Sequence, residues 1–259
     1  METIRAKKSL GQNFLISPRI TETIAHTADL KKGDCVLEIG PGKGMLTREL
    51  LKTGAHVIAV EKDDRLIPIL LENFARETRE GRFTLIHGDI LEIDLSTVIT
   101  EPYKVVANIP YYITGEIFRL FLSDIKNKPT AILLMVQKEI AQRLKDTKES
   151  ILSLSVKACG SVSIVTHVSR GNFFPVPNVD STVIHIHSIH DPFVNSDHEQ
   201  RFFEIVKAGF AHKRKKLISN LNNVFEKEKI HTLFKENNIA ENVRSEDIPL
   251  ETWLLLAQK

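Results

Sequence analysis

The sequence predicts an α/β fold: a doubly wound, mostly parallel sheet with an antiparallel end, followed by a small all-helical C-terminal domain. Three observations carry that prediction. Short apolar runs at Cys35–Ile39, His56–Val60, Phe83–Ile86, Tyr103–Ala107 and Ala131–Val136 alternate with helical patterns such as Met45–Leu51 and Leu66–Phe74, as in βαβ units. Beyond Val136 the pattern changes. Leu152–Lys157, Ile164–Val168 and Thr182–Ile189 read as strands, and the last two have no comparable helix between them, as in an antiparallel hairpin. From Asp197 onward the chain reads as helices only.

The elements follow in order. A polar N-terminal arm leads into Ser17-Pro18, a helix start with Ser as N-cap and Pro at N1. The sheet segments come next, and His190-Asp191-Pro192 marks the boundary between a domain over 1–190 and a helical one over 191–259. No internal repeat or low-complexity segment interrupts them. A chain of 259 residues buries a substantial core without staples. Cys35 lies in an apolar run and Cys159 beside Ala158 and Gly160, so both are expected to be reduced, buried thiols of a cytoplasmic protein. No run of about 18 apolar residues is present to span a membrane, and the first eight residues have no apolar core for a signal peptide. Net charge is only +2, so nucleic-acid affinity must come from local patches.

Each apolar run ends in polar residues, the place where an open α/β sheet binds its ligands. Gly40-Pro41-Gly42-Lys43-Gly44 follows the first run, directly after Glu38-Ile39. It is G-x-G-x-G rather than the dinucleotide pattern, and alone it is also an ordinary strand-to-helix turn. An acidic neighbour suits a cationic ligand better than a pyrophosphate. Glu61 stands twenty-one residues after Gly40 and ends the second run. That spacing suits an acceptor for both ribose hydroxyls of an adenosine cofactor; the plainer reading is a solvated charge, with Asp64 capping the next helix. Asp89, after the third run, is a candidate acceptor for the cofactor's adenine amino group, or else a turn aspartate.

Asn108-Ile109-Pro110-Tyr111 ends the fourth run. The exocyclic nitrogen of adenine is a poor nucleophile because its lone pair is conjugated into the ring. An amide oxygen from Asn108 and a neighbouring backbone carbonyl can accept its two N–H protons and free that lone pair. Pro110 stiffens the loop, and Tyr111 offers a π-face for an unstacked base, worth about 1–3 kcal/mol in comparable sites. A sulfonium needs no metal or strong base to release its methyl. The residues thus point to an S-adenosylmethionine-dependent methyltransferase, Rossmann-like in fold, acting on a nucleic-acid base.

Further motifs stand at Lys8–Leu15, Val136-Gln137-Lys138-Glu139 and Phe173–Ser181. Together with Val36–Gly42 and Asn108–Tyr111 they are the residues on which the chain, over nearly its whole length, resembles the ribosomal RNA adenine N6,N6-dimethyltransferase family, most closely its small-subunit (16S-type) branch. The resemblance implies that Asn13 and Leu15 close over the cofactor, with Gly40, Glu61, Asp89 and Asn108 completing its site. It implies that Phe173 and Phe174 join Asn108, Pro110 and Tyr111 around a flipped adenine. It further implies two adjacent adenines near the 3′ end of small-subunit ribosomal RNA as the target, within a small-subunit particle during its assembly. A monomer is expected. The stretch Lys145–Ser153 departs from the family, whose members carry a Pro-Gly and a Tyr-Gly there; the resemblance places it near the substrate.

Basic residues cluster in Arg5-Ala6-Lys7-Lys8 and His212-Lys213-Arg214-Lys215-Lys216. A charge run is commonly a solvated face, but beside a methyltransferase core the second reads as a phosphate-contacting patch through Lys213, Arg214 and Lys216. On a helix, Lys213 and Lys216 would share a face. His185, His187 and His190 lack cysteine or acidic partners, so no metal site is expected. Two rivals stand. A large-subunit methyltransferase of the macrolide-resistance type is opposed by the fuller Phe-x-Pro-x-Pro-x-Val-Asp-Ser motif, and a non-catalytic RNA-binding assembly or transcription factor is opposed by the intact Asn108–Tyr111 and Glu61.

Overall fold

A computed structural model describes residues 4–258. In chain order its elements are β1 (Phe14–Leu15), α1 (Pro18–Thr27), β2 (Cys35–Ile39), α2 (Met45–Lys52), β3 (His56–Glu61), α3 (Ile67–Asn73), α4 (Ala75–Arg79), β4 (Phe83–His87), β5 (Tyr103–Asn108), α5 (Thr114–Arg119) and β6 (Ala131–Gln137). There follow α6 (Lys138–Lys145), α7 (Ile151–Cys159), β7 (Ser161–Val168), β8 (Phe173–Phe174), β9 (Ser181–His187), α8 (Ser196–Gly209), α9 (Leu217–Leu221), α10 (Lys227–Glu236) and α11 (Leu250–Ala257).

Seven strands form one sheet in the order β4-β3-β2-β5-β6-β9-β7. β4 through β6 are parallel, and β9 runs antiparallel to both β6 and β7. The doubly wound sheet and its antiparallel end are therefore as the sequence predicts. All five residues of β2 are buried, as are Ala131–Val136 in β6. Strands covered on both faces need continuous apolar runs, and that is why they stand out in the sequence.

The chain divides into two compact units. One runs to Ala141 and resumes over Ser161–Ile189; the other comprises Gln142–Gly160 and everything from His190 onward. The second junction lies between Ile189 and His190, and the segment 142–160 groups with the C-terminal helices. Within that second unit Lys148 pairs with Glu246 at 2.5 Å, and the Glu149 amide donates to the Glu246 carbonyl at 2.7 Å. The family-atypical stretch is thereby tied to the loop before α11. Trp253 is fully buried there, stacked on Phe210 with ring centroids 5.5 Å apart, and its indole N–H donates to the Ile248 carbonyl.

Two sequence expectations need correction. Leu152–Lys157 is not a strand but the interior of α7. Its Leu-Ser-Leu-Ser-Val alternation has the strand period, yet Ser150 and Ser153 form a reciprocal capping box that starts a helix at Ile151. Ser153, Leu154, Val156, Ala158 and Cys159 are buried. Second, the helical turn after β3 is capped by Asp63, whose carboxylate accepts the Arg65 amide, and not by Asp64. Ser17 does occupy the N-cap of α1 with Pro at the first turn, though its hydroxyl makes no cap bond.

The turn between β2 and α2 depends on Gly44. Its φ is +80°, and a Cβ there would lie 2.5 Å from the Phe74 ring. Gly44→Ala should therefore cost about 2–3 kcal/mol, from the left-handed backbone together with the displaced ring. Urea denaturation measures it; a loss under about 0.5 kcal/mol, the level of a neutral surface change, contradicts this account.

Candidate active site

A cavity of about 550 Å³ opens at the carboxyl ends of β2, β3, β4 and β5. Every residue lining it belongs to the first unit. The sequence-predicted Asn13, Leu15, Gly40, Glu61, Asp89, Asn108, Pro110, Tyr111 and Phe174 all line it. Its size lies in the range that small-molecule cofactors occupy.

The glycine loop forms one wall. The Gly40 amide donates to the Val60 carbonyl at 2.9 Å, and the Gly42 amide to Glu61 Oε2 at 3.1 Å. Gly42 has φ +59°, and a Cβ there would come within 3.2 Å of the Phe14 ring. Glycine is what lets the loop and the N-terminal arm approach each other. Lys43 sits over the same ring, 5.1 Å from its centroid.

Glu61 is buried, with Oε1 accepting the Asp63 amide at 2.8 Å. Burial raises its carboxyl and the two amides oppose the rise. Each oxygen keeps a further lone pair for a ligand. Asp63 is held by Arg65 Nε at 2.8 Å and Nη2 at 2.6 Å, and it accepts from Gln12 Nε2 at 2.7 Å. The arm is thus fastened to the end of β3. Asp89 accepts from Lys62 Nζ at 2.5 Å and from the Leu91 amide at 3.1 Å. Partial burial pushes its carboxyl up, but Lys62 wins and holds it below the ordinary range.

Glu38 escaped the site prediction, although it was read as the acidic neighbour of the loop. It lines the cavity, is 1% exposed, and its Oε2 has no hydrogen-bond partner. Burial raises its carboxyl to about 8; Thr47 opposes the rise and Glu61 adds to it. An orphaned buried carboxyl oxygen next to Glu61, in a cavity that Asp89 also lines, makes a donor set suited to a cation.

On the opposite side, Asn108 Nδ2 donates to the Asn13 carbonyl at 3.4 Å, which assigns the amide nitrogen to the arm and leaves Oδ1 as the acceptor. The Pro110 carbonyl accepts from the Ile113 amide, and the Tyr111 carbonyl from Thr114 Oγ1 at 2.9 Å. That leaves the Ile109 carbonyl as the candidate second acceptor. Tyr111 is half-buried and its hydroxyl meets Ser181 Oγ at 2.6 Å. Tyr112, exposed beside it, also lines the cavity and was not anticipated.

Phe173 and Phe174 part company. Adjacent strand residues point to opposite faces: Phe174 is 63% exposed and lines the cavity, whereas Phe173 is 1% exposed among core residues that include Phe14 and Leu15. Phe173 is therefore a support and not a wall. β1 and β8 pair antiparallel, Phe14 with Phe174 and Leu15 with Phe173. The arm and the Phe-Phe segment are one small sheet.

Two sites lie elsewhere. Lys213–Lys216 are exposed in the loop between α8 and α9, with Lys216 at the N-cap of α9. The shared helical face expected for Lys213 and Lys216 therefore does not exist. Among the described residues, metal-ligand atoms gather within 4.8 Å of one another only at Cys35, His56 and Glu101, at the amino ends of the strands. The His185 and His187 rings lie outside that group, tilted at 52° to each other with centroids 5.1 Å apart. Both cysteines are buried, and burial raises the Cys35 thiol to about 12.

The family model for ribosomal RNA adenine dimethylase matches residues 3–259. The chain belongs to that family. Its class is therefore that of the rRNA adenine dimethyltransferases. Ribosomal RNA small subunit methyltransferase A of Dehalococcoides mccartyi is 38% identical over 260 residues, covering 98% of this chain and 88% of the relative. The protein of that name from Clostridioides difficile is 38% identical over 261 residues, covering 96% and 89%. Among solved structures, a dimethyladenosine transferase from Plasmodium falciparum superposes with TM-score 0.79 at 27% identity, covering 94% of this chain and 95% of the other. The 23S rRNA methyltransferase ErmE does so with TM-score 0.76 at 25% identity, covering 95% and 98%. No helix is long and apolar enough to cross a membrane, among the described residues.

The Glu38 environment has a consequence for stability. The unfolded carboxyl ionises near 4.5, so between about 4.5 and 8 the folded chain keeps a proton that the unfolded chain has lost. That contribution is complete below 4.5 and disappears as pH rises through 8. Glu38→Gln stays neutral throughout. Urea melts of the two cofactor-free proteins should show wild type losing more stability than the variant between about pH 6 and pH 9; equal losses contradict the buried neutral carboxyl.

Proposed function

We propose that this protein transfers methyl groups from S-adenosylmethionine to N6 of adenine in small-subunit ribosomal RNA, two methyls per base, at adjacent adenines near the 3′ end. The observation that carries the reading is the meeting, in one cavity, of a cation-suited acidic wall with the Asn108–Tyr111 acceptor loop. The greater identity to small-subunit enzymes than to ErmE supports that branch over the large-subunit one.

The residues fit the cofactor. Glu61 offers its remaining lone pairs to ribose hydroxyls, Asp89 in the cavity wall is assigned to the adenine amino group, and the partnerless Glu38 oxygen is available to a cationic group. S-adenosylmethionine supplies an activated methyl on a sulfonium, so the protein need only present the nitrogen. Asn108 Oδ1 and the Ile109 carbonyl accept the two N–H protons of the adenine amino group and turn its lone pair toward the methyl. Tyr111 and Phe174 hold the extruded base between π-faces. Leu15 and Asn13 cover the reacting region and keep water out.

The helical unit beginning at His190 serves RNA binding, through the exposed loop carrying Lys213, Arg214 and Lys216. A loop places these side chains without helical phasing, so all three can reach phosphates. They would orient the RNA without reading its sequence. The substrate is a small-subunit particle, and the protein acts as a monomer in the cytoplasm.

Asn108→Ala tests the chemistry. It should cut single-turnover methylation of small-subunit particles by about 10²-fold or more, because it removes an acceptor that acts in the transition state. Glu61→Ala should instead weaken cofactor binding by about 1.5–3 kcal/mol in isothermal titration. Near-wild-type turnover of the first variant at saturating cofactor would remove the proposed mechanism, and unchanged affinity of the second would remove Glu61 from the ribose.

Neutralising Lys213, Arg214 and Lys216 together should flatten the dependence of log affinity on log salt by about 0.7–0.9 per lost contact, with S-adenosylmethionine affinity unchanged. A particle-binding assay in a salt series that finds the slope intact returns these residues to a solvated face.

A further inference from the structure

The hydroxyl of Tyr111 is committed before any substrate arrives. It shares a 2.6 Å hydrogen bond with Oγ of Ser181, a side chain with no exposure at the first residue of β9. The bond joins the loop after β5 to the last strand of the sheet. The Ser181 side chain is fully buried, and burying its hydroxyl without a partner would be unfavourable.

Ser181 is itself held from several directions. It lies opposite Gln137 on β6 and Val168 on β7. The carbonyl of Asp180 accepts the Lys138 amide at 3.0 Å, and its Oδ1 accepts the Arg170 amide at 2.9 Å. Two neighbouring strand ends and the turn after β7 therefore fix the oxygen that meets Tyr111. Tyr111 stands in a short 3₁₀ turn, Tyr111–Ile113, with fewer constraints of its own. A phenol ring anchored at Cβ and again at its para oxygen has its long axis set by two points. Only rotation about that axis remains. Burial raises the Tyr111 phenol above its ordinary range, so the proton needed for the bond is retained.

We propose that Ser181 is a positioning residue for methyl transfer: it fixes the axis of the Tyr111 ring, so that the π-face meets the extruded adenine where the Asn108 acceptor stands. The inference rests on the reading of Tyr111 as the base-holding ring. It gives the terminal serine of Phe173–Ser181 a task that the cavity lining alone does not reveal, since Ser181 is not among the residues that line the cavity.

The test removes one bond from its two ends. Ser181→Ala and Tyr111→Phe, singly and combined, are assayed with small-subunit particles under saturating S-adenosylmethionine, alongside cofactor titration and thermal melts of each protein. Each single variant should lower kcat by about 3- to 10-fold, the size of one hydrogen bond, with KM for the particle and cofactor affinity little changed. The double variant should be no slower than the slower single one, because both remove the same interaction. Should Ser181→Ala fail to fold, Tyr111→Phe deletes the bond without touching the core strand, and a wild-type kcat there overturns the proposal. Multiplying losses in the double variant also overturn it, as does a wild-type kcat for folded Ser181→Ala. Tyr111→Ala separates the two levels. If it damages the RNA step while Ser181→Ala is silent, only the positioning role falls. If Tyr111→Ala leaves the RNA step intact, the base-holding reading falls first.

Discussion

The carboxylate of Glu61 joins the glycine loop to the end of β3 and, through Asp63, to the N-terminal arm. One oxygen takes the Gly42 amide and the other the Asp63 amide. Asp63 in turn takes Gln12 from the arm and Arg65 from the following turn. Glycine loop, strand end and arm are thereby one hydrogen-bonded unit. A buried carboxylate survives only when its lone pairs are used, and two backbone donors provide that. The residue assigned to the ribose is also part of the scaffold. Ligand affinity and loop order are therefore coupled at Glu61, whereas at Asn108 the acceptor function stands largely apart from the fold.

Glu38, Glu61 and Asp89 line one cavity, and the chain handles each differently. Glu38 is kept neutral by burial, Glu61 is met by backbone amides, and Asp89 is matched by Lys62. Three bare anions so close together would repel one another and favour protonation. The arrangement keeps acceptors available for a cationic ligand while limiting that repulsion. It also leaves Glu38 as the group whose charge responds most to what enters.

The central strands and their ligand-bearing ends were legible because burial on both faces demands continuous apolar runs, and polar residues then stand out at Glu61, Asp89 and Asn108. The failures have local causes. The alternation in Leu152–Val156 imitates a strand, and only the capping pair Ser150 and Ser153 reveals the helix. Phe173 and Phe174 are identical in type, so nothing local says which of them faces the core; pairing with Phe14 and Leu15 decides it. The basic run falls in the stretch from Asp197 that reads as helices only, yet it is a connection. Glu38 sits inside an apolar run and was read for its charge, but its neutral, unpartnered state depends on three-dimensional burial.

The sheet order carries a consequence for how the protein comes into being. β9 lies between β6 and β7, although it is the last of the seven strands in the chain. β7 therefore has no sheet neighbour until β9 has been synthesised and inserted. The strands that carry the glycine loop, Glu61 and Asn108 can pair among themselves much earlier, whereas Phe174 must return to the arm across some 160 residues and Ser181 must reach Tyr111 from β9. Contacts this distant in sequence form late. During translation the parallel strands beneath the cavity can pair while β8, the partner of the arm, and Ser181, the partner of Tyr111, are still to be made.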